Sequence, residues 1–84
     1  MPEISRFFGI IIKMYFRQNE HNPPHFHAIY GDFVGLIDIQ TGEMLEGDLS
    51  VKTMNLIHDW METSKSDLLE IWNTQQFRKL PPLA

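Results

Sequence analysis

Eighty-four residues with a net charge of −4, 43% hydrophobic and 21% charged, describe one globular domain, 1–84, with a thin core. No cysteine is present, which excludes disulfides and thiol chemistry and confines any metal site to His, Asp or Glu. No apolar run approaches the ~20 residues of a membrane span, and Met1-Pro2-Glu3-Ile4-Ser5 lacks the basic-then-apolar layout of an export signal, so a cytoplasmic protein is expected.

The first predicted strand covers 8–17. Ile10, Ile12, Met14 and Phe16 fall on one face, and Ile11, Lys13, Tyr15 and Arg17 on the other. A loop follows to Pro23-Pro24, where the second proline removes a donor and restricts the residue before it. The second strand, 25–30, carries Phe26, Ala28 and Tyr30 on one face and His25, His27 and Ile29 on the other. Gly31-Asp32 suits a two-residue hairpin turn, and the third strand runs over 33–40 with Ile37 and Ile39 as core positions. A short fourth strand, 44–46, follows the turn at Thr41-Gly42-Glu43.

From Ser50, a sound N-cap, the pattern becomes helical. Met54, Ile57, Trp60, Met61, Leu68, Leu69, Ile71 and Trp72 recur at spacings of three and four, predicting a helix over 51–77 and an extended tail over 78–84. Ser64-Lys65-Ser66-Asp67 resembles a capping box and argues for a break, whereas the unbroken apolar phase argues for continuity. The expected fold class is α+β. A small, mostly antiparallel four-stranded sheet, in the order β-β-β-β-α, has one face covered by a long C-terminal helix, straight or kinked near Ser64.

Charge is unevenly placed. Residues 31–50 hold Asp32, Asp38, Glu43, Glu46 and Asp48 with no basic residue, while Arg6, Lys13 and Arg17 give the first thirty a slight positive balance. Any RNA contact is therefore expected around the N-terminal half.

The concentrated chemical signal is His21-Asn22-Pro23-Pro24-His25-Phe26-His27. On a strand, His25 and His27 point the same way with Cα atoms roughly 6.5–7 Å apart. Three readings follow. With His21, and Glu20 or Asp38 behind it, the pair is a candidate site for a divalent metal such as zinc, which needs a third or fourth ligand. Without metal, His25, His27 and Tyr15, with Lys13 and Arg17, form a candidate catalytic group, because imidazole suits acid–base work near neutral pH and RNA cleavage needs a base, an acid and a cation. The plainest reading is that the histidines hydrogen-bond the loop and hold the Pro-Pro corner. Trp60 and Trp72 are core or interface residues of a size that suits a partner surface. His58 is expected at the helix surface.

The run from Met1 to Ile10, then Met14-Tyr15, then His21-Asn22-Pro23-Pro24-His25-Phe26-His27-Ala28-x-Tyr30-Gly31 resembles the small bacterial proteins grouped as domain-of-unknown-function family 4160. Leu45-Glu46-Gly47, Trp60 and Leu69-Glu70-x-Trp72 fit the same pattern. The resemblance implies a gene pair with another small protein, arranged like a type II toxin–antitoxin system, with this chain as the toxin-like partner. It assigns no catalytic residue and no cofactor. Two functions follow as expectations: a toxin-like protein acting on RNA through His25, His27, Tyr15 and Arg17, or a non-enzymatic module that binds a small protein encoded nearby, using Trp60 and Trp72.

Overall fold

The computed structural model describes residues 3–15 and 24–83. Strands β1 (Glu3–Phe7), β2 (Ile10–Lys13), β3 (His25–Tyr30), β4 (Phe33–Asp38) and β5 (Met44–Gly47) precede a single helix, α1 (Val51–Thr74). The strands form one sheet in chain order, every neighbouring pair antiparallel. The α+β architecture with one long C-terminal helix is thus the expected one, but with five strands instead of four.

The extra strand was concealed by two local features. Phe8 and Gly9 have φ of 48° and 80°, the pair of positive values that a tight I′ hairpin turn requires. That turn sits inside the apolar run Phe7-Phe8-Gly9-Ile10, so the predicted strand over 8–17 contains a reversal at its start. The register between β1 and β2 also shifts between Glu3 and Ser5. The bulge turns Ile4 inward beside Ser5, leaving them 0% and 5% exposed, and erases the alternation that announces a strand. At the other end β2 stops at Lys13, and positions 16 and 17 of the predicted strand lie outside the described residues.

The helix-facing positions of the sheet are Ile10, Ile12, Met14, Phe26, Ala28 and Ile37, and they pack with Ile57, Trp60, Met61, Leu68 and Ile71 of α1 in one buried cluster. A fully buried aliphatic or aromatic side chain contributes roughly 1.5–3 kcal/mol, and Trp60 is the largest of them, against Phe7 at 5.4 Å and Phe26 at 6.0 Å between ring centroids. Ser50 caps α1, its hydroxyl accepting from the Thr53 N–H at 3.2 Å. Ser64 is buried within the continuous helix, so no break occurs there. The helix ends at Thr74, short of the predicted 77, because Gln75 takes a left-handed conformation at φ 58°. The tail then returns to the sheet. Leu80 N–H donates to Ile4 O at 2.9 Å, and Trp60 Nε1–H donates to Pro81 O at 2.8 Å. Trp60 is accordingly a core residue, 1% exposed, and presents no surface to a partner.

Candidate functional site

Alternation that sends Phe26 and Ala28 toward α1 sends His25, His27 and Ile29 to the helix-free face. The register extends this into a row across all five strands: Glu3, Lys13, His27, Leu36 and Glu46. The next row holds Arg6, Ile11, Ile29 and Val34. Lys13 and His27 are therefore cross-strand neighbours, a juxtaposition that follows from β2 and β3 pairing as consecutive strands.

Three predicted residues come together here. The rings of Tyr15 and His27 meet edge-on with centroids 4.4 Å apart, and those of His25 and His27 lie 5.8 Å apart. The other side of His25 meets Trp72 of the last turns of α1 at 5.1 Å. The result is a line of rings, Tyr15, His27, His25, Trp72, running from the helix-free face to the end of α1. Exposure divides the two histidines. His27 is partly exposed, whereas His25 is 8% exposed, enclosed between its neighbours. His27 is thus the more accessible imidazole of the two, and His25 stands behind it.

Asp38 is the cross-strand partner of His25, as a metal site would want, but its Oδ1 accepts from the N–H groups of Gln40 at 2.7 Å and Thr41 at 3.2 Å. That carboxylate holds the chain reversal after β4. Among the described residues no group of three or more His, Cys, Asp or Glu is placed to hold a metal ion. His21, Glu20 and Arg17, named for the metal or catalytic sets, lie outside the described residues.

Beside His27 the helix-free face dips into a shallow hollow of about 300 Å³ lined by His27, Val34, Leu36, Glu46 and Gly47. Gly47, on the rim of this hollow, lets β5 run close against the backbone of β4. Its φ is +126°, and a Cβ there would run into the Val34 carbonyl oxygen. Sequence reasoning missed this hollow and the contact between His25 and Trp72. The alternation of β4, which puts Val34 and Leu36 on the same face as His27, carried the signal for the first. His58, expected at the surface, is exposed and donates from Nε2 to Gly42 O at 2.8 Å, tying α1 to the turn before β5.

Chemically, the arrangement offers one accessible imidazole able to give or take a proton near neutral pH, a phenol in ring contact with it, a lysine on the adjoining strand, and an apolar-floored hollow alongside. Among the described residues no helix is long and apolar enough to cross a membrane. No curated protein and no solved structure matches the chain. One family profile does, over residues 9–73, from the turn between β1 and β2 almost to the end of α1. That span includes the whole ring line and leaves out β1 and the returning tail. The chain belongs to the family described as Domain of unknown function (DUF4160).

Proposed function

We propose that this chain is the toxin-like member of a bacterial type II toxin–antitoxin-like pair, acting on RNA in the cytoplasm from the helix-free face of its sheet. The observation that carries the proposal is the gathering of Tyr15, His27 and His25 into one ring cluster with Lys13 on the strand beside His27. In this reading His27 takes the proton of the 2′-hydroxyl as that oxygen attacks phosphorus and, as imidazolium, returns it to the 5′-oxygen as the bond from phosphorus to that oxygen breaks. Lys13 supports the phosphate charge. Tyr15 offers an aromatic edge and a hydroxyl to the same substrate. His25, buried against Trp72, positions His27 and is not the group that meets RNA. Arg17 is kept as a second cation for the phosphate.

Soluble chain produced alone should arrest growth, and His27→Ala should relieve the arrest while the protein still folds. In vitro, single-stranded RNA should be cut to products ending in a 2′,3′-cyclic phosphate, about 10²–10⁴-fold more slowly by His27→Ala. Unaffected growth at high soluble expression, with no cleavage, overturns the reading. Cleavage abolished by a chelator and restored by zinc would instead favour the metal variant built on His21, His25 and His27.

A second reading, a non-enzymatic module for a small cognate protein, is favoured by the apolar side chains left in solvent, with Phe33 50%, Val34 45% and Leu45 40% exposed. Trp72, partly exposed at the end of α1, is kept in that surface. A stable complex with the neighbouring gene product that is indifferent to His27→Ala, together with absent RNA cleavage, selects it.

A further inference from the structure

The two edges of the sheet are finished differently. The β1 edge meets the returning tail, with the Leu80 N–H on Ile4 O and the Leu80 side chain 5% exposed. At the other end of the strand order stands β5, and among the described residues nothing pairs with its outer side. Leu45, Glu46 and Gly47 are exposed. An open strand edge is a template for a further strand.

The register says which backbone groups are on offer. Asp48 N–H donates to Val34 O at 3.3 Å, and Leu36 faces Glu46. In an antiparallel pair the bonded positions alternate, so the peptide groups of Glu46 turn toward β4 and those of Gly47 turn away from it; across the register shift at Leu45, Asp38 N–H donates to Glu43 O, and the groups of Met44, opposite Ile37, turn away. The outward groups of β5 therefore lie within a border of carboxylates, the exposed Glu43, Glu46 and Asp48, in a stretch, 31–50, that holds five acids and no basic residue.

We propose that the β5 edge is a docking strand for an extended, basic segment of another protein, which joins the sheet as a sixth strand and sets its lysines or arginines against Glu43 and Glu46. Charge decides among occupants. A second copy joined through β5 would set Glu43, Glu46 and Asp48 against their own counterparts, and β1 of a second copy already carries its own tail. A nucleic acid would bring phosphates to an acidic border. A basic strand meets both requirements of the edge, main-chain bonding and opposite charge. This edge adjoins the face around His27, since Glu46 and Gly47 line the hollow beside that imidazole, but the proposal does not depend on RNA chemistry there.

The test uses the full chain and a peptide about ten residues long, the length of a long strand, alternating valine with lysine. Its counterpart has glutamate in place of lysine. Amide chemical shifts followed during titration should move in β4 and β5 for the lysine peptide and stay still for the glutamate peptide. Added salt should weaken the binding. The double variant Glu43→Lys/Glu46→Lys, at two exposed positions that leave the core intact, should lose about tenfold or more in affinity for the lysine peptide. It should also gain affinity for the glutamate peptide. No binding of the lysine peptide, equal binding of the two peptides, shifts centred on β1, β2 or β3, or a charge-swapped variant that keeps its lysine preference would each overturn the proposal.

Discussion

The two faces of this sheet are built from alternate residues of the same strands, yet they obey different physics. On the helix side, Ile12, Phe26, Ala28 and Ile37 are sealed from water and matched by the apolar stripe of α1. One residue away along each strand, Lys13, His27, Leu36 and Glu46 form a row with two charges, an imidazole and an apolar side chain. The first face has one task, burial, and every side chain on it is replaceable only by something of like size. The second places titratable and apolar groups side by side, an arrangement that burial alone does not require. Stability should therefore reside in one face and chemistry in the other.

The largest effect should come from the helix side. Trp60→Ala removes the ring that touches Phe7 and Phe26 and leaves Pro81 O without its indole donor. A loss of about 3–5 kcal/mol is expected, enough to unfold much of a small domain whose total stability is of that order. Urea unfolding followed by far-ultraviolet circular dichroism measures it. A loss below about 1 kcal/mol would mean that the core is not organised around this residue.

His25 tests the border between the faces, since it points with His27 yet is buried against Trp72. His25→Ala should cost about 1–3 kcal/mol, through lost packing at a buried site, and should also lower RNA cleavage. His27→Ala, one position further along the same face, should cost less than about 1 kcal/mol while removing the activity. Equal stability losses in the two variants would erase the proposed division of labour between a positioning histidine and a reacting one.

How much of this was legible in the sequence follows from how local each feature is. The shared face of His25 and His27 is a property of alternation, so it was visible in six residues. The helix was visible because Ile57, Trp60, Met61, Leu68 and Ile71 repeat at its period. β1 was not, because a bulge at Ile4 breaks the period and the turn at Phe8-Gly9 lies in an apolar run without the usual polar turn residues. The burial of His25 was out of reach for a different reason. Trp72 is 47 positions away in the chain, and the two meet only because α1 ends beside the start of β3. Trp60, suited by size to a partner, is committed instead to the core and to the returning tail, a long-range contact that its helical spacing allowed but did not specify. The acidic middle was legible as composition; that it lines one open edge of the sheet required the strand order.

The smallest expected effect lies at the far end of the His27 row, where Glu3 faces Lys13. Its carboxylate accepts a hydrogen bond from the Arg6 guanidinium at 2.9 Å, and that bond, with the charges of Arg6, Lys79 and Lys13, holds the carboxyl below its ordinary value of 4.5. A carboxyl lowered in the folded state stabilises the fold above its unfolded value and loses that contribution as pH falls through the folded value. The gap in Tm between the wild type and Glu3→Gln should accordingly be present at neutral pH, small because the pair is exposed and screened, and should close in acid. The ion pairs of Arg78 with Asp67 and Glu70 occur in both proteins and cancel in the difference. The same pH sweep on Trp60→Phe should give a gap that does not close, because the apolar cluster around Trp60 has no charge to lose. A pH-independent gap for Glu3→Gln would assign Glu3 a role in the packing of β1 rather than in the charge balance of the helix-free face. The contrast between the two sweeps separates a face held by burial from a face whose charges respond to the solution.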